Sequence, residues 1–338
     1  MKILSTIGLT PEDHKIIQQA VSDAELVDRR CRTMDEMTQA AKAIGGCDVL
    51  FGLRVPDELM RQSPNLKWIQ LMSAGADHIM RGVLAERTQV VVTTASGTAA
   101  TPIAEYTLGS MLVYAHGMHV SIRAQLRREW HRTGSFVDSI DVLRGKTLGI
   151  IGYGSIGRET ARLAQSFGMR VLALKRNPAD HSDPGWNPPG VGDPEGKIPA
   201  RFYGPEEREA ILRESDFIML TLPLTAHTRK FIGRKELAMM RPHAYIVNIG
   251  RGEIIDQEAL IETLREKRIG GAGLDVFERE PLESESGLWD LDNAILTPHV
   301  SGLFRDYYGT CCRLFAENLR RYGSGQPLLN LVDRTLGY

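Results

Sequence analysis

The chain has 338 residues, enough for two domains with cores of their own. Its 41 Lys and Arg against 42 Asp and Glu leave a net charge near −1, which argues against a general nucleic-acid or membrane-surface role. No apolar stretch approaches the length of a membrane span, and residues 1–7 are too short, and too soon followed by Pro11, Glu12 and Asp13, for a secretory signal.

The first hundred residues alternate short apolar runs with helical ones. Strands are expected at 2–6, 25–28, 48–52, 67–71 and 90–93, with helices such as 11–21 and 33–44 between them. This βα repeat implies a parallel sheet and an α/β layer fold. A long helix is expected at 101–130. Thr101 can cap it, Pro102 suits its first position, and Glu105 complements the positive end of its dipole. Met111, Leu112, Val113 and Met118 suit either a linking and subunit-contact helix or an interior core helix.

A second βα series starts at Lys146. Strands are expected at 147–151, 170–174, 217–222, 244–249, 271–276 and 294–296, and helices at 155–167, 206–213, 234–239 and 256–267. Gly152, Gly154 and Gly157 lie between the first of these strands and an amphipathic helix with Ile156, Thr160, Leu163, Ala164 and Phe167 on one face. In that context each glycine has a task. Gly152 permits the tight turn, Gly154 lets the backbone approach a pyrophosphate, and Gly157 lets helix and strand pack closely. Gly168 is placed to stop the helix.

Residues 177–205 are rich in Pro and Gly and too long for an ordinary connection. They form either a lid or a surface loop, and Trp186 and Phe202 favour an ordered excursion. A last helix is expected at about 304–322, after the second sheet is complete, so it can return to the first domain. The expected architecture is two Rossmann-like or flavodoxin-like doubly wound parallel-sheet domains. One comprises 1–99 with 300–338 and holds substrate; the other, 100–299, holds a dinucleotide. Cys31, Cys47, Cys311 and Cys312 form no CxxC pair and, with the histidines, no metal-ligand spacing. They read as reduced thiols of a cytoplasmic protein.

Two strand ends carry chemistry. Arg251 follows the strand ending near Ile249, between Gly250 and Gly252, on a turn expected to need backbone freedom. His299 follows Pro298 after the last strand. In an open α/β sheet, ligands bind at the carboxyl ends of strands. The strand at 170–174 ends in Lys175 and Arg176, where an NAD site usually has an acidic residue. Two cations there would attract a 2′-phosphate, which favours NADP(H), with NAD(H) as the alternative.

These blocks together resemble the D-isomer-specific 2-hydroxyacid dehydrogenase family over essentially the whole chain. The resemblance rests on Gly152 to Gly157; on Leu222, Pro223, Leu224 and Thr225 with Thr228; on Asn248 to Gly252; and on the order Leu274, Asp275, Val276 … Glu280, Pro281 followed by Thr297, Pro298, His299. It implies that Gly152, Gly154, Ser155, Ile156 and Gly157 hold the cofactor, together with Leu222, Pro223, Thr228 and Ile249. It implies Asp275 as a partner of the nicotinamide carboxamide. Arg251, Glu280 and His299 become the catalytic set, with Glu280 holding the His299 ring. Ser73, Ala74 and Gly75, followed by Asp77 and His78, resemble the family's substrate-side loop. With Arg251 and His299 they would contact a small 2-oxo or 2-hydroxy acid. The implied reaction is hydride transfer between NADP(H) and such an acid, glyoxylate or hydroxypyruvate being the leading substrates. A NAD(H)-dependent dehydrogenase of another acid, or a non-catalytic dinucleotide sensor like the corepressors that resemble this family, remains the alternative. No nucleic-acid or membrane partner is expected, and a homodimer through the 101–130 helix is.

Overall fold

A computed structural model describes residues 1–80, 82–130, 135–183 and 185–337. In chain order its elements begin with β1 (Lys2–Ser5), α1 (Pro11–Ala20), β2 (Glu25–Asp28), α2 (Met34–Ala43), β3 (Val49–Gly52), α3 (Asp57–Arg61), β4 (Trp68–Leu71), α4 (Val83–Glu86) and β5 (Val91–Thr93). There follow α5 (Ala100–Ala115), α6 (Met118–Arg127), α7 (Ser135–Asp138), β6 (Thr147–Ile151), α8 (Ser155–Ser166), β7 (Arg170–Leu174) and β8 (Arg201–Tyr203). The remainder is α9 (Arg208–Glu214), β9 (Phe217–Leu220), α10 (Arg234–Leu237), β10 (Tyr245–Asn248), α11 (Gln257–Arg265), β11 (Gly271–Leu274), β12 (Ala294–Leu296) and α12 (Tyr307–Gly323). Among the described residues no helix is long and apolar enough to cross a membrane.

The chain divides into two compact units. The first comprises Met1–Ala99, Pro184–Pro188 and Phe304–Tyr338; the second comprises Ala100–Asp183 and Pro189–Leu303. Among the described residues, the first unit holds a five-stranded parallel sheet of order β2-β1-β3-β4-β5. α1 packs on α12. One face of this sheet is covered by aromatic residues from both ends of the sequence. Phe51 stacks on Phe315 at 4.4 Å, and Trp68 lies 5.3 Å from Phe315 and 5.4 Å from Tyr322. A buried polar chain crosses the same core. Trp68 Nε1 donates to Thr93 Oγ1 at 2.8 Å, Thr93 donates to Gln70 at 2.8 Å, and Asn318 donates to Gln70 at 3.0 Å. Every buried donor there has a partner, so burial of these amides carries no desolvation penalty left unmatched. Trp186 packs against this core, and its backbone N–H donates to Asn330 Oδ1.

Among the described residues, the second unit holds a seven-stranded parallel sheet, order β12-β11-β10-β9-β6-β7-β8. Six strands are expected from the sequence, and the seventh, β8, lies inside the 177–205 stretch. Its three residues pair with β7 at the sheet edge, Ala173 opposite Phe202. A strand this short, set among prolines and glycines, leaves no alternating pattern to read.

Two further expectations need correction. The 101–130 helix is two helices. Gly117 takes φ +62° between them, and a Cβ there would meet the Phe136 ring at 2.7 Å. The helix begins at Ala100, so Thr101 lies inside its first turn rather than at the cap. The inward face of α8 is also not the bulky one. Gly157, Thr160, Ala161 and Ala164 are buried, whereas Phe167 is 41 % exposed. α8 packs on α5, β6 and β7, and this close approach selects small residues. A Cβ on Gly157 would come within 2.5 Å of the Gly152 carbonyl.

Candidate active site

All strands of the second sheet run parallel, so the loops after β6, β7, β9, β10, β11 and β12 share one edge. β6 has β7 on one side and β9 on the other, so connections diverge there and leave a crevice at the carboxyl ends. The loop after β6 is the glycine turn. Gly152 adopts φ +104°, which a side chain tolerates poorly, and its Cβ position lies 2.8 Å from the Thr221 carbonyl. A Cβ at Gly154 would meet nothing within 4 Å. Open space therefore lies before the twelve-residue helix α8, whose first N–H groups, those of Ser155 and Ile156 among them, have no intrahelical acceptor. This arrangement fits the pyrophosphate of a dinucleotide. Gly168 at φ +71° ends the helix.

On the next loops, Thr228 Oγ1 donates to the Pro223 carbonyl at 2.6 Å and accepts from Thr225 N at 2.8 Å. These bonds close a turn that holds half-buried Leu222 and Pro223 past the end of β9. Past β10, Ile249 N donates to the Leu220 carbonyl. Asn248 shapes the following turn: its Nδ2 donates to the Arg251 carbonyl at 2.9 Å, and its Oδ1 accepts from Gly250 N at 3.2 Å. The flanking glycines meet a different need from the one expected. Neither has a positive φ. Instead, a Cβ on Gly252 would lie 1.8 Å from the Phe277 carbonyl carbon, and one on Gly250 would lie 2.9 Å from the Leu222 carbonyl oxygen. Close backbone approach, not conformational freedom, selects glycine beside Arg251. The Arg251 side chain is half-buried, and one of its bonds runs from Nη1 to the Gly250 carbonyl at 2.9 Å.

His299 and Glu280 meet. His299 Nδ1 lies 2.8 Å from Glu280 Oε2, and the other carboxylate oxygen accepts the Phe277 N–H at 3.1 Å. With Nδ1 committed to a carboxylate, Nε2 is the nitrogen left for other work. The imidazole is half exposed. His299 itself sits at φ +54°, a conformation L residues seldom adopt. Asp275 is what supports it. This fully buried carboxylate accepts the Thr297 hydroxyl at 2.6 Å, Val300 N at 2.9 Å and Ser301 N at 2.9 Å. It clamps the loop on both sides of His299. Thr297 gives its only proton to Asp275, so Tyr106 donates to Thr297 across their 2.7 Å contact. Burial pushes the Tyr106 hydroxyl up to about 12, against the Thr297 contact that lowers it, and keeps it a donor. Sequence reasoning missed Asn248, Thr297 and Tyr106. Only the first two had a signal, their adjacency to Arg251 and His299.

In the first unit, Ser73 Oγ donates to the Gly75 carbonyl at 2.8 Å, and the Ser73 carbonyl accepts from Ala95 N at 2.9 Å. Ala74, between them, is exposed. His78 Nε2 lies 3.1 Å from the Leu53 carbonyl oxygen.

Past β7, Lys175 is half-buried and Arg176 exposed. The Lys175 ammonium donates to the Asp180 carbonyl. Burial and the nearby Arg158 charge lower its pKa, against the pull of Asp180 and Asp183. Arg158, one turn into α8, is 1 % exposed and spans Asp193 and Ser182: its Nη atoms donate to their carbonyls at 2.5 and 2.8 Å. Among the described residues no group of three or more His, Cys, Asp or Glu side chains is placed to hold a metal ion.

A profile of the D-isomer specific 2-hydroxyacid dehydrogenase NAD binding domain matches residues 108–301. A glyoxylate reductase of Thermococcus gammatolerans is 34 % identical over 83 % of this chain and 80 % of its own. An (S)-sulfolactate dehydrogenase of Chromohalobacter salexigens is 32 % identical over 88 % of this chain and 90 % of its own. Among solved structures, a D-isomer specific 2-hydroxyacid dehydrogenase from Xanthobacter autotrophicus, in complex with NADPH and MES, superposes with a TM-score of 0.78. It is 26 % identical and covers 100 % of this chain and 99 % of its own. A dinucleotide turn at the switch point of a doubly wound sheet and an acid-backed histidine on the same edge agree with these likenesses: the chain belongs to the D-isomer specific 2-hydroxyacid dehydrogenase family, and is an oxidoreductase of hydroxy acids that works with a nicotinamide dinucleotide.

Proposed function

We propose that the enzyme uses NADPH to reduce a small 2-oxo acid, glyoxylate or hydroxypyruvate first among them. The observation that carries this reading is the 2.8 Å pair of His299 and Glu280 on the strand-end edge that also bears Arg251. The bound nicotinamide supplies the hydride. His299, in its protonated form, delivers a proton from Nε2 to the carbonyl oxygen, while Glu280 keeps the ring in place through Nδ1. Arg251 polarises the same oxygen and neutralises the substrate carboxylate, a task suited to a planar guanidinium fork. Asp275 acts through the loop it clamps, as a positioning residue. The Gly152–Gly157 turn takes the pyrophosphate, with Leu222, Pro223, Thr228 and Ile249 on the neighbouring loops along the cofactor. Relatives called glyoxylate reductases support the substrate class.

The preference for NADPH rests on Lys175 and Arg176 at the end of β7, where a carboxylate would otherwise bind the ribose hydroxyls. Replacing Lys175 by Asp and Arg176 by Ala is expected to raise KM for NADPH far more than for NADH. Equal effects on both would defeat the assignment. The same assay, run as NADPH consumption with glyoxylate, hydroxypyruvate and pyruvate, separates an enzyme from a sensor. Tight nucleotide binding without turnover on any 2-oxo acid would support the sensor. The reading also makes the protein a cytoplasmic homodimer joined through α6, supported by the exposed apolar stripe of Met118, Ile122 and Leu126 at helical spacing. Its four cysteines are free, as a reducing compartment requires.

A further inference from the structure

Residues 177–183 and 189–200 are fastened to the dinucleotide turn by buried side chains that the proposed chemistry leaves without a task. Tyr153, between Gly152 and Gly154, is 3 % exposed, and its hydroxyl donates to Asp193 Oδ2 at 2.7 Å. Asp193 is itself 7 % exposed. Its carboxylate also accepts Lys197 N and Ile198 N, each at 3.0 Å, and so ties its own loop closed. Arg158 lies against the Tyr153 ring at 4.8 Å, bonds the Asp193 and Ser182 carbonyls, and has Nε 3.5 Å from Asp183 Oδ2. Its neighbour Glu159, fully buried, accepts Gly192 N at 2.7 Å and is paired with Arg162. Phe202 and His181 complete the packing, stacked at 4.2 Å, with Phe202 edge-on to Tyr153 at 5.4 Å. Burial alone would raise the Asp193 carboxyl, but the two backbone donors and the Tyr153 hydroxyl outweigh it and hold the pKa below the ordinary value. A charged carboxylate thus sits at the centre of the cluster, its oxygens satisfied.

The placement is specific. One end of the cluster grips the side chain of the residue at the crest of the glycine turn. The other end, through the Asp180 carbonyl, grips the Lys175 ammonium past β7. These are the two flanks of the site where the adenosine half of a dinucleotide lies in a doubly wound sheet.

We infer that residues 177–183 and 189–200 form a clamp for the adenosine half of the cofactor, and that Asp193 is its positioning residue, setting the pose of the glycine turn through Tyr153 and Arg158. This rests on the reading of Gly152–Gly157 as the pyrophosphate turn. The clamp acts on binding and not on hydride transfer, since no member of the cluster lies on the loops that carry Arg251, Glu280 or His299.

Binding of NADPH, NADH, ADP-ribose and nicotinamide mononucleotide to the full chain tests it, read by calorimetry beside kcat at saturating NADPH. Asp193→Ala is expected to weaken the three adenosine-containing ligands by about tenfold or more, the effect of leaving a buried donor unpaired. Nicotinamide mononucleotide binding and kcat should stay within about twofold of wild type, a range in which the clamp removes little transition-state stabilisation. Limited proteolysis should open new cuts within 177–200. Tyr153→Phe, which keeps the ring packing and removes only the hydroxyl, should shift binding in the same direction by a smaller factor, and it serves where Asp193→Ala does not fold. Unchanged adenosine affinity in Tyr153→Phe, or in Asp193→Ala with the loop opened to protease, would overturn the inference. So would a fall in kcat with binding intact. Gly154→Val separates this from the reading beneath it. If that obstructed turn still binds ADP-ribose like wild type, the pyrophosphate assignment fails, whatever Asp193 does.

Discussion

His299 stands in a conformation that few residues accept, held by bonds to its neighbours and by a carboxylate on its ring. Replacing it with Asn should leave this backbone unstrained, because Asn tolerates the left-handed region well. Loss of the proton donor is then the dominant effect, and kcat should fall by about 10² to 10⁴ while NADPH affinity is retained. Stopped-flow turnover with glyoxylate measures it, and a drop of less than about threefold would remove His299 from the proton path. Gly252 gives a stability prediction instead. Its missing Cβ would overlap the Phe277 carbonyl at 1.8 Å, and backbone cannot step aside as a flexible side chain can. Gly252→Ala should cost about 1–3 kcal/mol, read as a lower denaturant midpoint with an unchanged slope. At this scale the sequence was legible where a residue type is rare for a reason. Arg251 and His299 stand out at strand ends. The role of Tyr106 was not legible, because a tyrosine on an apolar helix looks ordinary until its partner is in view, and Asn248 offered only its adjacency to Arg251. The glycines beside Arg251 were noticed for the wrong cause: a near-contact with β11's following loop leaves no local trace.

Elements were read well wherever periodicity runs long enough. β6, α8 and β7 fall within a residue or so of expectation, because a buried parallel strand followed by an amphipathic helix is a strong pattern. Failures have particular causes. β8 is three residues long and set among turn formers, so its pairing with β7 is decided by tertiary contact. The α5–α6 break depends on one glycine, and a single Gly within a helical pattern does not by itself say whether the helix survives it. The inward face of α8 was misjudged because hydrophobicity predicts burial only where there is room. Here α5 and the sheet come close, and volume decides. The same element shows why Arg158 and Glu159 could not be read from periodicity: they are buried by 177–200, a segment distant in sequence.

At the scale of the molecule, some of the exposed apolar residues of the second unit fall on one line. Met118, Ile122 and Leu126 are 47, 54 and 81 % exposed along one line of α6, and Trp130 just beyond is 90 % exposed. A stripe of this kind is poorly tolerated in water unless covered. Leu126→Glu should convert the proposed dimer to a monomer in sedimentation velocity, with the fold unchanged by circular dichroism. A wild-type chain that sediments as a monomer would remove the dimer outright. Charge and composition carry nothing about the substrate.

The first unit is assembled from both extremities of the sequence, and this has a consequence for synthesis. Gln70 and its partner Asn318 are 248 positions apart. At about 5–20 residues per second, the ribosome needs roughly 12–50 s to travel between them. Through that interval Phe51 and Trp68 have emerged but lack Phe315 and Tyr322, the rings that shield them. The nascent chain therefore carries a sticky, half-built sheet while the nearly contiguous second unit completes itself, and a chaperone that shelters aromatic surface would find its client there.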